Sequence, residues 1–196
     1  MIQEERIKHI IEQSINLKTA VLSDVQLLGL VGDITGIITE TFKKGGKVLF
    51  CGNGGSAADA QHLAAEFSGR FYFDRPPLPS EALHVNTSFL TAVANDYSYE
   101  QVYSRMVKAT GRKGDILFGI STSGNSANIV NALETAKEIG MITIGFTGEG
   151  GGKMKELCDF LVAVPSKDTP RIQEVHILLG HIICELTEAA LFTKPE

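Results

Sequence analysis

The sequence predicts an α/β protein, a five-stranded parallel sheet with helices on both faces, on three observations. Five short apolar runs, at Val48 to Cys51, Ala82 to Val85, Ile116 to Ile120, Ile142 to Phe146 and Phe160 to Val164, have the length and unbroken hydrophobicity of buried strands. Helical patterns separate most of these runs, and a strand that regains a parallel neighbour through a helix does so by a right-handed crossover. Two of the runs feed loops rich in glycine or hydroxyls that open directly into helices.

In chain order, two helices come first, at Glu4 to Leu17 and Leu28 to Phe42, stopped by Lys43-Lys44-Gly45-Gly46, where cations and glycines end a helix naturally. The first is amphipathic and charged, without the basic start and apolar run of a signal peptide, and no segment approaches a membrane span, so the chain reads as cytoplasmic. The first strand ends in Cys51-Gly52-Asn53-Gly54-Gly55-Ser56. Glycines let this backbone approach a ligand, and the free N–H groups of the next helix suit an anionic or hydroxyl-rich molecule. That helix carries His62 and Glu66 four residues apart, one turn, so imidazole and carboxylate share a face and can share a metal or a substrate. Arg75-Pro-Pro-Leu-Pro79 reads as a surface loop. With no repeat or linker, 1–196 reads as one domain: a helical pair over 1–44, an α/β core over 45–165 and a C-terminal helix over 166–196.

The third strand repeats the logic of the first. Gly119-Ile120-Ser121-Thr122-Ser123-Gly124-Asn125-Ser126 opens a helix from Ala127 to Ile139. Ordinary capping explains one serine there, but a cap needs one hydroxyl and four are present, which favours phosphate held by hydroxyls and amides without a lysine. The lysine and spacing of a P-loop are missing. The last helix, Arg171 to Leu191, follows Asp168-Thr169-Pro170 and is apolar almost all round, as a helix buried in a core or against another subunit would be. Gln173 and His181 share one of its faces, about 12 Å apart along the axis. His176, His9 and His84 read as structural histidines.

The 196 residues, 43% hydrophobic, suffice for a core. A net charge of −5 and a pI near 5.6 argue against nucleic acid or an anionic membrane as partner, so a phosphate must be held locally. Cys51, Cys158 and Cys184, odd in number and set in apolar surroundings, read as reduced, mostly buried thiols.

Six motifs then carry a resemblance: Cys-Gly-Asn-Gly-Gly-Ser at 51 to 56, Asp-Ala-Gln-His-Leu-Ala-Ala-Glu at 59 to 66, Gly-Arg-Phe at 69 to 71, Ala-Asn-Asp at 94 to 96, Gly-Ile-Ser-Thr-Ser-Gly-Asn-Ser at 119 to 126, and Arg-Ile-Gln-Glu-Val-His at 171 to 176. The chain resembles, over nearly its whole length, the sugar isomerase (SIS) domain proteins and among them the phosphoheptose isomerases. The resemblance implies a flavodoxin-like three-layer sandwich with added terminal helices for oligomerisation, and a homotetramer with active sites between subunits. It implies conversion of sedoheptulose 7-phosphate to D-glycero-D-manno-heptose 7-phosphate, at the head of nucleotide-activated heptose synthesis. It also implies one zinc ion per subunit on His62, Glu66, Gln173 and His181, either polarising the carbonyl or holding the site together. Substrate contacts carry over to Asn53, Gly54, Gly55, Glu66, Asn95, Asp96, Ser121, Thr122, Ser123, Ser126 and Gln173. Since ketose and aldose exchange through an enediol, Glu66 is expected as general base and His181 as general acid. Pro170 departs from an acidic residue found in some members, and no role is assigned there. Two rival readings are a non-catalytic SIS protein that binds the bacterial replication initiator and another sugar-phosphate aldose-ketose isomerase.

Overall fold

A computed structural model of the protein describes residues 2–192. The first two helices, α1 (Ile2–Ser23) and α2 (Val25–Lys43), are longer than the sequence pattern predicts. A single residue parts them: Asp24 leaves helical geometry and its carboxylate accepts the Leu27 N–H at 2.9 Å, an N-cap that needs no connecting loop. The Lys-Lys-Gly-Gly stop behaves as expected, with the Lys44 N–H on the Glu40 carbonyl and Gly45 at φ 76°.

The five strands are β1 (Val48–Gly52), β2 (Ser80–Ala82), β3 (Ile116–Ile120), β4 (Ile142–Thr147) and β5 (Phe160–Ala163), all parallel, in the order β2-β1-β3-β4-β5. Four lie within about a residue of the expected runs; β2 is the correction. It pairs as Val48 with Ser80 and Phe50 with Ala82, and the chain turns at Ala82, whose carbonyl accepts the Val85 N–H. The apolar residues past Ala82 are therefore the exit of a short edge strand. The crossovers run through α3 (Gly55–Ser68), α4 (Thr87–Asp96), α5 (Val102–Thr110) and α6 (Ala127–Ile139), and α7 (Thr169–Leu191) closes the chain. α7 begins two residues before the expected start because Pro170 fits its first turn, where no N–H is required. In this strand order the crossovers from β1 and β3 leave in opposite directions, so the loops after these strands border the crevice where α/β sheets bind ligands.

Alternate strand residues feed two cores. Phe50, Phe118 and Phe146 face α2, α3 and α7, packing on Leu63, Phe67, Val175 and Leu179; Leu49, Cys51 and Leu117 face α5 and α6 with Tyr103, Val107 and Leu133. Each such side chain contributes roughly 1.5–3 kcal/mol by leaving water. All three cysteines are free, but Cys158 is only partly buried. His176 is a core residue, 1% exposed, with Nε2 on the Thr147 carbonyl at 3.0 Å, and burial pushes its pKa down to about 4. His84 is partly buried, whereas His9 lies on the exposed surface of α1 beside Gln13. α2 is long and apolar enough to cross a membrane by length and composition alone, but 44% of its most apolar 18-residue window is buried inside the protein, as in a core helix. α1 is tied to α7 by Ser14 donating to Glu174 at 2.6 Å and Arg171 donating to the Ile10 carbonyl at 2.9 Å, and it leaves Ile7, Ile11 and Ile15 exposed.

α3 and α7 lie alongside each other in the same direction, with Gly55 against Gln173 and Leu63 against Gly180. A Cβ at Gly180 would lie 2.6 Å from both terminal carbons of Leu63, which is 1% exposed and enclosed. Gly180→Ala should therefore destabilise the fold by about 1–2 kcal/mol even though alanine favours helix, because overpacking costs more than propensity returns. A melting temperature equal to or above that of the parent would contradict this packing.

Candidate active site

The loop after β1 turns at Gly54, whose φ of 56° is open to glycine but strained for other residues. The turn is closed by the Ser56 N–H on the Asn53 carbonyl, and by the Ala57 and Ala58 N–H groups on the Gly54 carbonyl. Asn53 is fixed from across the sheet: its amide and that of Asn128 exchange two hydrogen bonds of 2.9 Å, and the Tyr99 hydroxyl donates to Asn53 Oδ1 at 3.1 Å. Tyr103 donates to the Gly52 carbonyl. Asn128, Tyr99 and Tyr103 are absent from the sequence-derived site. The available signal was an asparagine at 128 on the mostly apolar buried face of α6, where it is 3% exposed.

In the loop after β3, Ser121 Oγ lies 3.0 Å from Ser126 Oγ and 3.4 Å from Ser123 Oγ, while Ser123 Oγ accepts the Asn125 N–H at 3.1 Å. Ser126 occupies the cap position of α6, yet its hydroxyl makes no capping bond. The Ile129 N–H turns to the Ser126 carbonyl at 3.0 Å, which leaves the Ala127 and Asn128 N–H groups without a backbone partner among the described residues, and three hydroxyls gather beside them, an arrangement suited to an anion. Among the described residues Thr122 makes no hydrogen bond through its hydroxyl to that trio. With Ser123, Glu149, Ser166 and Lys167 it lines a cavity of about 200 Å³. Lys167, exposed and 3.6 Å from Glu149, is thus a lysine near a loop the sequence reads as lysine-free.

His62 and Glu66 occupy one turn of α3, and α7 brings His181 to them. His62 Nε2 lies 2.9 Å from His181 Nε2 and 3.1 Å from Glu66 Oε1, and the three ligand atoms lie within 4.8 Å of one another. Two imidazole nitrogens at that distance need a proton or a cation between their lone pairs, and two nitrogens with one carboxylate oxygen form a donor set that suits zinc or a similar first-row ion. The His62 side chain is 50% and that of Glu66 24% exposed, so a small molecule can reach them.

The fourth expected ligand sits elsewhere: the Gln173 amide packs over Gly55, 2.5 Å from where a Cβ would stand. Gly55 precedes His62 by two turns of α3, about 10 Å. Asn95 and Asp96 end α4, exposed and bonded to each other at 2.9 Å, and among the described residues neither is hydrogen-bonded to the β1 or β3 loop. Asp59, at the start of the 59–66 motif, lies about one turn before His62. Desolvation pushes its carboxyl up to about 6 against the opposing effect of His62, and its Oδ2 is buried without a partner among the described residues.

A family model described as SIS domain matches residues 18–148. The phosphoheptose isomerase of Aneurinibacillus thermoaerophilus is 58% identical over 95% of this chain and 94% of its own length. Among solved structures, a phosphoheptose isomerase from Neisseria gonorrhoeae superposes with a TM-score of 0.88 at 43% identity, over 96% of this chain and 100% of the other. One from Francisella tularensis gives 0.92 at 34% identity over the same shares.

Proposed function

The chain belongs to the SIS domain family, among its phosphoheptose isomerases, and from this premise we propose that it converts sedoheptulose 7-phosphate to D-glycero-D-manno-heptose 7-phosphate. This is the first step of nucleotide-activated heptose synthesis. The observation that carries the reading is the convergence of His62, Glu66 and His181 in a chain whose hydroxyl-lined helix start is free to take a phosphate.

The reaction moves a proton between C1 and C2 through a cis-enediol while protons shift between the two oxygens. Glu66 carries the carbon-bound proton. His181 serves the oxygens, and each such group contributes on the order of 10² to 10⁴ in rate. Ser121, Ser123 and Ser126 with the Ala127 and Asn128 amides at the start of α6 hold the phosphate, Thr122 borders it, and Asn53, Gly54 and Gly55 line the sugar. Asn95 and Asp96 complete the substrate contacts. His62, Glu66 and His181 fit a zinc ion, one per subunit, with Gln173 as fourth ligand once its amide leaves Gly55. Bound there, the ion would polarise the substrate carbonyl as a Lewis acid. Both members of the acid-base pair are present and adjacent, which a non-catalytic relative that binds the replication initiator would not need.

The exposed stripe of Ile7, Ile11 and Ile15 on α1, continued by Leu22 and Val25, supports assembly into a homotetramer, in which this surface leaves water. The proposed setting is the cytoplasm.

Solvent deuterium exchange at C1 of the ketose phosphate tests the chemistry. Glu66→Gln keeps volume but removes the proton carrier, so kcat should fall by at least about 10² with no rescue by added zinc. Wild-type exchange in that variant would remove Glu66 as the base. Since hydrogen bonds to a charged group contribute roughly 1.5–3 kcal/mol each, Ser123→Ala should raise KM about tenfold, and unchanged KM values for alanine at 121, 123 and 126 alike would dismiss the phosphate site. Light scattering should give about four times the chain mass of 21.1 kDa, and a monomer at low micromolar concentration would refute the tetramer.

A further inference from the structure

A buried ion pair stands behind the His62, Glu66 and His181 cluster and belongs to none of the sequence-derived sites. Glu188 lies on α7, two turns beyond His181, and is 1% exposed. Its Oε1 accepts the Phe71 N–H at 3.0 Å and Arg75 Nε at 2.8 Å; its Oε2 accepts the Tyr72 and Phe73 N–H groups at 2.7 and 3.0 Å. Burial alone would raise its pKa, but the amides and the guanidinium outweigh it and hold the carboxyl below its ordinary value. The Arg75 side chain is equally deep, 2% exposed. Its Nη2 donates to the Glu66 carbonyl and its Nη1 to the Phe67 carbonyl, each at 2.9 Å, in the last turn of α3 where carbonyls lack partners within the helix. The segment gathered by Glu188 starts at Phe71, whose ring lies 5.8 Å from that of His181.

We infer that Glu188 and Arg75 are positioning residues that set the separation of Glu66 and His181, and with it metal affinity and turnover. This rests on the isomerase reading of the cluster. Stability alone does not call for such a pair, because apolar side chains of similar volume serve a core as well as or better than a buried ion pair. What an apolar pair would not do is define the path of three successive amides and grip the backbone of Glu66. Glu188 shapes residues 71–73, Phe71 bears on the His181 ring, and Arg75 anchors the turn of α3 that carries Glu66. Both partners of the acid-base pair are thus held from behind by one charged knot. Metal distances tolerate errors of only about 0.2 Å, so a small shift of either helix turn registers in binding.

The test compares wild type with Glu188→Gln and Arg75→Lys, each held well below its unfolding midpoint. Glutamine turns an accepting oxygen into a donor facing backbone N–H groups; lysine keeps the charge but loses the fork that reaches the two α3 carbonyls. Ile38→Val, in the core of α2, supplies a destabilised control away from the cluster. The zinc dissociation constant, read by chelator competition, should rise about tenfold or more in both variants and kcat should fall about tenfold, as loss of an outer partner of a metal ligand typically does. KM for the sugar phosphate should stay within about twofold, since the phosphate loop is untouched. If both variants melt earlier yet match Ile38→Val in zinc affinity and kcat, the pair is structural only and the inference falls. Should Glu188→Gln fail to fold, Arg75→Lys decides on the same measurements. A wild type that neither binds zinc nor turns over the heptose phosphate would sink the isomerase reading and this inference with it; a working wild type with unaltered variants sinks the inference alone.

Discussion

The candidate site depends on two helices lying closer than ordinary side chains allow. α3 and α7 meet where Gly180 receives Leu63 and where Gly55 receives the amide of Gln173. Gly180, inside α7, sacrifices about 1 kcal/mol of helix propensity, and the return is geometric. His62 and His181, 119 positions apart in the chain, come to 2.9 Å because the backbones that carry them are so near. A methyl group at Gly180 would push the helices apart at the position next to His181.

The sheet does the complementary work on the ligand side. Its strand order opens a crevice between the loops that follow β1 and β3, and the exchange between Asn53 and Asn128 ties one loop to the helix that starts the other. The glycine-rich turn therefore does not move independently of the serine loop. Ser126 adds to this by withholding its hydroxyl from its own helix. An end of α6 without a cap is a local sacrifice of stability, of a size that a bound anion can repay.

Local chemistry was readable from the sequence, and long-range placement was not. The strands, apart from β2, follow from continuous apolar runs, and the pairing of His62 with Glu66 follows from helical spacing alone. β2 misleads because hydrophobicity marks what is buried, while strand identity follows pairing, which ends at Ala82 although Leu83 is also buried. The joint at Asp24 is hidden because one residue with a side-chain cap replaces the loop that two helices usually require. Asn128, Glu188 and Arg75 were missed for a shared reason: each acts on a residue 75 or more positions away, except where Arg75 caps the nearby end of α3. Gln173 shows the converse. Its face of α7 was correct, but the sequence could not reveal that its amide rests on Gly55.

The fastening of α1 to the start of α7 carries a mechanical consequence. Ser14 holds Glu174 and Arg171 holds the Ile10 carbonyl, and these two α7 residues flank Gln173. Whatever packs on the exposed isoleucine stripe of α1 thereby gains a mechanical route to the head of α7. A load on α1 would therefore be felt beside Gln173 as well as at the stripe itself.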